Sequence, residues 1–144
     1  ATARCAARSI EVSGAVPRVK APDLCEASKF EGFNEPEAWG LWSARDGASI
    51  VLPHPVQGKI VVKLRAATLP ALDGKELRLR LGKDTKSILL GVNQREYVLE
   101  YDVSSSANRL VFEGIKGLSP LALGISSDPR PLGVAVSGLE CSVK

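Results

Sequence analysis

Alternation of apolar and polar residues, cut at short intervals by glycine and proline, is the feature that most limits how this chain can fold. Residues 59–65 place Ile60, Val62 and Leu64 on one side and Lys59, Lys63 and Arg65 on the other. Residues 76–81 repeat the pattern with opposite parity, setting Leu77, Leu79 and Leu81 against Glu76, Arg78 and Arg80. A period of two is the signature of a half-buried strand, because successive side chains point to opposite faces. Strand-like stretches recur at residues 9–13, 29–33, 39–43, 48–52, 86–90, 96–101, 108–113, 132–136 and 139–143. Between them lie Gly14 and Pro17, Asp46-Gly47, Pro53-His54-Pro55 and a serine-rich turn at 104–106. Asp46-Gly47 predicts a hairpin joining 39–43 to 48–52. About ten strands, roughly ten residues apart and with no long helical segment, predict an all-β chain. An antiparallel β-sandwich follows, with a jelly roll as the first topology and an immunoglobulin-like sandwich as the second.

At 144 residues the chain has the length of one domain with one sizeable core. No repeat or linker divides it. Residues 1–28 are expected to supply an N-terminal strand and a cysteine-containing loop, and residues 29–143 the main sandwich. The net charge of +3 is spread along the chain without a basic block, which argues against a nucleic-acid partner. No apolar run approaches the roughly 18 residues of a membrane-spanning helix, so direct insertion is not expected. The N-terminus lacks the apolar stretch of an intact signal peptide, and methionine is absent. Both features fit a mature protein or a soluble piece of a longer one.

Three cysteines, no CxxC pair and one histidine are too few ligands for a structural zinc site. In an exported domain they would give one disulfide and one thiol. Cys5–Cys25, flanking a single loop, is the preferred pairing. Cys5–Cys141 stays open, since the first and last strands of a sandwich can be neighbours, and three buried thiols would suit a cytosolic protein.

Aromatic residues make up only 5% of the chain, yet both tryptophans fall in Gly32-Phe33-Asn34-Glu35-Pro36-Glu37-Ala38-Trp39-Gly40-Leu41-Trp42-Ser43. Trp39 and Trp42 are three apart, which in a regular strand puts them on opposite sides unless Gly40 introduces a bulge. An exposed indole could stack on a sugar ring while Glu37 accepts hydrogen bonds from its hydroxyls. The plainer alternative buries both indoles, with their N–H groups bonded to backbone. Asp128 and Arg130 flank Pro129 in a long aperiodic segment. The arginine fork could grip an acidic glycan, or the pair could join Glu37 and pin that segment against the tryptophan stretch. Converging carboxylates would suit calcium, but the chain lacks an Asp-rich ligand string, so no metal or other cofactor is expected.

Catalytic signatures are missing as well. His54 lies between prolines without a nucleophile motif, no G-x-S-x-G elbow occurs, and the Gly-Lys pairs at 58–59, 74–75 and 82–83 lack the rest of a phosphate loop. The chain is therefore not expected to be an enzyme.

Two motifs together resemble a family. Gly32-Phe33, Glu37-x-Trp39-Gly40-x-Trp42-Ser43 and, later, Ser119-Pro120, Gly124-x-Ser126 and Asp128-x-Arg130-x-Leu132-Gly133 are similar to soluble jelly-roll accessory domains of bacterial envelope proteins. Those domains accompany membrane-bound glycosyltransferases and phosphoglycerol-transferase-like enzymes of surface polysaccharides. The resemblance covers residues 29–143. It implies a periplasmic or extracellular, non-catalytic sandwich that binds or positions carbohydrate beside a membrane-bound transferase. The competing class is a structural or protein-interaction domain without a glycan. The candidate binding residues are Glu37, Trp39, Trp42, Asp128 and Arg130.

Overall fold

The computed structural model describes residues 23–144; the strand expected at residues 9–13 and Cys5 lie outside the described residues. Seven strands follow in order: β1 Lys29–Glu31, β2 Leu41–Trp42, β3 Ala48–Thr68, β4 Glu76–Leu81, β5 Asp84–Leu89, β6 Arg95–Glu113 and β7 Val134–Val143. All pairings are antiparallel. β3 and β6, at 21 and 19 residues, pair with each other at both ends and bend between them.

That bend turns a single hydrogen-bonded network into two layers. The start of β3 and the end of β6 lie in one layer, between β1 and the β4–β5 hairpin. The rest of both strands lies in the other, beside β7 and β2. Strands that switch sheets through bulges form the corners of such sandwiches. The fold is an antiparallel β-sandwich of the jelly-roll kind, as the alternation predicts.

Three long strands were expected as shorter pieces, and each difference has a local cause. Pro53-His54-Pro55 sits inside β3, at the corner, where the register jumps from Val51↔Arg109 to Val56↔Ala107 and then to Gly58↔Val103. Prolines are tolerated there because the ladder is interrupted and needs no N–H donor. The serine-rich stretch 104–106 is part of β6, not a turn. Core positions are odd before it (Tyr97, Leu99, Tyr101, Val103), whereas after it the most deeply buried are the even Leu110 and Phe112, with Val111 between them also buried, as an extra bulge residue allows. Likewise, residues 132–136 and 139–143 are not two separate strands. They contribute to β7, whose parity flips around Ser137. The predicted hairpin is also corrected: β2 pairs with β7 through Leu41↔Val136 and Trp42↔Ala135, while the start of β3 pairs with β1 and β6.

Between the layers, Leu77, Leu79 and Leu81 of β4 share one core with Ile60, Val62 and Leu64 of β3 and with Leu99 and Tyr101 of β6. The Tyr101 hydroxyl donates to the Leu79 carbonyl at 2.9 Å, tying β6 to β4 inside that core. Burial pushes its phenol well above the ordinary tyrosine range. Phe33, just after β1, meets Phe30 and Phe112 edge-to-face at 5.5 Å each. Those contacts anchor the root of the tryptophan stretch to the core.

At the start of the described residues, Leu24 N–H donates to the Cys141 carbonyl at 2.8 Å, and Asp23 Oδ1 accepts from the backbone N–H groups of Cys25 and Cys141 at 3.1 Å each. Residues 23–25 thus lie along β7, with Cys25 and Cys141 both buried. Either disulfide considered above requires Cys5, which the described residues do not include.

Candidate functional site

The site begins where the tryptophan stretch leaves the core. Ser43 holds its C-terminal end: its hydroxyl accepts Val134 N–H at 2.8 Å, and its carbonyl accepts Gly133 N–H at 2.9 Å. Any side chain at Gly133 would place a Cβ 2.7 Å from the Ser43 hydroxyl, so the close approach requires glycine. Residues 37–40 form a tight turn, in which Glu37 and Gly40 exchange backbone hydrogen bonds of 2.7 and 3.1 Å. Gly40 has φ of 148° and lies so close to β7 that a Cβ would sit 2.0 Å from the Val136 carbonyl oxygen.

This turn resolves the tryptophan spacing. The regular strand starts only at Leu41, so Trp39 belongs to the turn and the strand rule does not apply to it. The two indoles lie together, edge-to-face, with centroids 5.9 Å apart and planes at 83°. Trp39 is 37% exposed. Trp42 is half-buried. Its neighbour Leu41, not either tryptophan, fills the core there. Trp39 Nε1–H donates to Glu37 Oε1 at 3.3 Å, so the carboxylate helps set the orientation of the exposed indole.

The late loop closes the other side. Leu118 and Leu132 exchange backbone hydrogen bonds of 3.0 and 2.9 Å across its base, and Asn34 Nδ2–H donates to the Pro131 carbonyl at 2.8 Å. Arg130 reaches from this loop between two carboxylates. Its Nε–H and Nη2–H donate to Asp128 at 2.8 to 3.2 Å, and its Nη1–H donates to Glu37 Oε2 at 3.1 Å. Arg130 N–H also donates to Asp128 Oδ1 at 3.0 Å. These hydrogen bonds hold the Asp128 carboxyl down at about 2, well below the ordinary carboxylate range.

All five sequence-predicted residues therefore form one cluster, in which Arg130 pins the loop to the turn. Where Glu37 and Asp128 converge, the Arg130 guanidinium lies between them. Among the described residues, no group of three or more His, Cys, Asp or Glu side chains is gathered for a metal. His54 is exposed at the corner of β3.

Sequence reasoning missed two features. One is Asn34, whose amide latches the loop; its place between Phe33 and Glu37 was the available signal. The other is the loop itself. Leu121, Leu123 and Ile125 are exposed, while backbone N–H groups around them bond within the loop, as in Leu121 to Asp128, Leu123 to Ser119 and Ile125 to Pro120.

Phosphoglycerol transferase I of Escherichia coli O139:H28 (strain E24377A / ETEC) and of Shigella boydii serotype 18 (strain CDC 3083-94 / BS512) are each 29% identical over 113 residues. Those matches take in 69% of this chain and 15% of each relative, so the chain corresponds to a small part of either enzyme. Among solved structures, BiXyn10A CBM1 in its apo form has a TM-score of 0.47 at 10% identity, covering 87% of this chain and 97% of that one. The C-terminal CBM6 of LamC, a marine laminarinase from Zobellia galactanivorans, has a TM-score of 0.46 at 12% identity, covering 83% and 96%. Likenesses at that level say nothing about ligands. No helix among the described residues is long and apolar enough to cross a membrane. A family match extends over residues 9–143, and by that match the chain belongs to the family described as Domain of unknown function (DUF7024).

Proposed function

We propose that this domain is a non-catalytic, extracytoplasmic carbohydrate-binding unit that positions a surface polysaccharide for an associated enzyme. Trp39 and Trp42 form the contact surface, Glu37 offers acceptors to sugar hydroxyls, and Asp128 with Arg130 holds the surface in shape. The observation that carries the reading is the exposed Trp39, whose indole is bonded to a carboxylate that Arg130 grips from the opposite side. Aromatic faces with a few fixed polar groups are the usual makings of a ligand site, and preorganisation lowers the entropic cost of binding. The relatives named phosphoglycerol transferase I support a setting beside a transferase, whether on one polypeptide or two.

A titration of tryptophan emission against a broad glycan panel tests this. Binding should shift or quench emission and raise the thermal midpoint, and Trp39→Ala should abolish both. Unchanged emission and midpoint across the panel would refute carbohydrate binding. The compartment is tested separately, since an exported protein with a Cys5–Cys25 disulfide has one titratable thiol when unfolded without reductant, whereas three would contradict it.

One observation favours a protein-interaction domain as the second reading. Leu121, Leu123 and Ile125 are exposed on a loop held by its own hydrogen bonds, a shape suited to docking. A partner that protects this loop, combined with an unresponsive Trp39, would favour it.

A further inference from the structure

Resting on the carbohydrate reading above, we infer that the ligand at Trp39 is an uncharged glycan, and that the site disfavours sugars bearing carboxylate or phosphate. The cluster contains two carboxylates, Glu37 and Asp128, against one guanidinium, Arg130, so it carries a formal charge of −1. Three of the arginine's donors are already engaged by these two carboxylates. A guanidinium has five N–H donors. Nε–H and one N–H of Nη2 go to Asp128, and one N–H of Nη1 goes to Glu37. An anionic ligand would have to displace one of these carboxylates or sit beside a cluster of its own sign. Either course costs affinity.

Neutral hydroxyls meet no such conflict. Two N–H donors of Arg130 remain uncommitted, and each oxygen of Glu37 accepts one bond, from Trp39 and from Arg130 respectively, leaving lone pairs available. A sugar hydroxyl both donates and accepts, so neighbouring hydroxyls can use a spare N–H and a spare lone pair at once. The indole of Trp39 supplies an apolar face beside them. Asp128, held down at about 2, remains ionised across ordinary pH and so stays bonded to the Arg130 fork.

The test compares matched neutral and uronate-bearing oligosaccharides of equal length by tryptophan fluorescence on the folded domain, with a phosphorylated sugar as a third arm. The neutral oligosaccharide should bind about tenfold tighter, a difference of ~1.4 kcal/mol. Its affinity should change little with salt, while any binding of the acidic ones should strengthen as salt screens the cluster. Glu37→Gln keeps the shape of the side chain and removes one negative charge. It should raise the ratio of acidic to neutral affinity several-fold even if both weaken, with the thermal midpoint reporting that the variant is folded. Equal or tighter binding of the uronate or phosphate sugar overturns the inference while leaving carbohydrate binding intact. No response to any arm overturns the carbohydrate reading, and this inference with it.

Discussion

Gly40→Ala is the most demanding test of how the site is built. The added Cβ would lie 2.0 Å from the Val136 carbonyl oxygen, where a carbon–oxygen contact normally needs about 3.3 Å. About 1.3 Å of separation must therefore open between the turn and β7. β2 meets β7 through only two residue pairs, so little holds it against that displacement. Moving it also partly uncovers Leu41, which is 1% exposed, and burying a leucine is worth about 1.5–3 kcal/mol. The positive φ of 148° adds strain of about 1–2 kcal/mol for a residue with a Cβ. The expected loss is ~3 kcal/mol, or roughly 10 °C in thermal midpoint for a domain of this size. Denaturant unfolding followed by both tryptophan emission and circular dichroism measures it, and Gly58→Ala is the control. Gly58 also has a positive φ, of 95°, but a Cβ there meets nothing within 4 Å, so its cost should stay near 1 kcal/mol. Equal losses for the two variants, or a Gly40→Ala protein with unaltered stability and emission, would refute the close-approach argument.

Three other outcomes are expected. Tyr101→Phe removes the buried hydrogen bond to the Leu79 carbonyl and should destabilise by about 1 kcal/mol in denaturant unfolding. Trp39→Ala should cost less than about 1 kcal/mol, since the indole is 37% exposed, while removing any glycan-induced change in emission. Arg130→Gln should let Asp128 titrate in the ordinary carboxylate range by NMR and speed protease cleavage within residues 118–131. The sign follows from the depressed value in the folded protein: the contribution of the pair is present above the unfolded carboxylate value and is lost as pH falls through it towards about 2. An unmodified loop that loosens already between pH 7 and pH 5 would contradict this.

How much of the architecture could be read from residues depends on where parity holds. β4 matches its predicted span because Leu77, Leu79 and Leu81 alternate without interruption between two turns. β6 and β7 were divided because a bulge reverses which positions face inward, and in sequence that reversal looks like the end of one strand and the start of another. The pairing of β2 with β7 was hidden for another reason. Asp46-Gly47 is a sound turn signal, but it joins the tryptophan stretch to a strand that pairs elsewhere, and long-range partners leave no local trace. The ion cluster was more legible, since Glu37, Asp128 and Arg130 stand out as opposite charges within two aperiodic stretches. The mutual contact of Trp39 and Trp42 was not predicted, because it depends on a backbone conformation that Gly40 permits and that its spacing alone does not specify.

β3 and β6 also constrain how the molecule comes apart. Since the same two strands run through both layers, neither layer can detach without unzipping their shared ribbon. The ribbon's ends differ in reach: Ala66 pairs with Arg95, whereas Ala48 pairs with Phe112, far more distant along the chain. Loop-closure entropy favours starting at the shorter connection, with the β4–β5 hairpin enclosed, and zipping towards the longer one. The corner at residues 52–57 is then the point at which the second layer becomes committed. Substitutions there should slow folding more than they speed unfolding, which the two arms of a denaturant chevron for Pro53→Ala and Pro55→Ala would show; the opposite partition would refute this order of zipping.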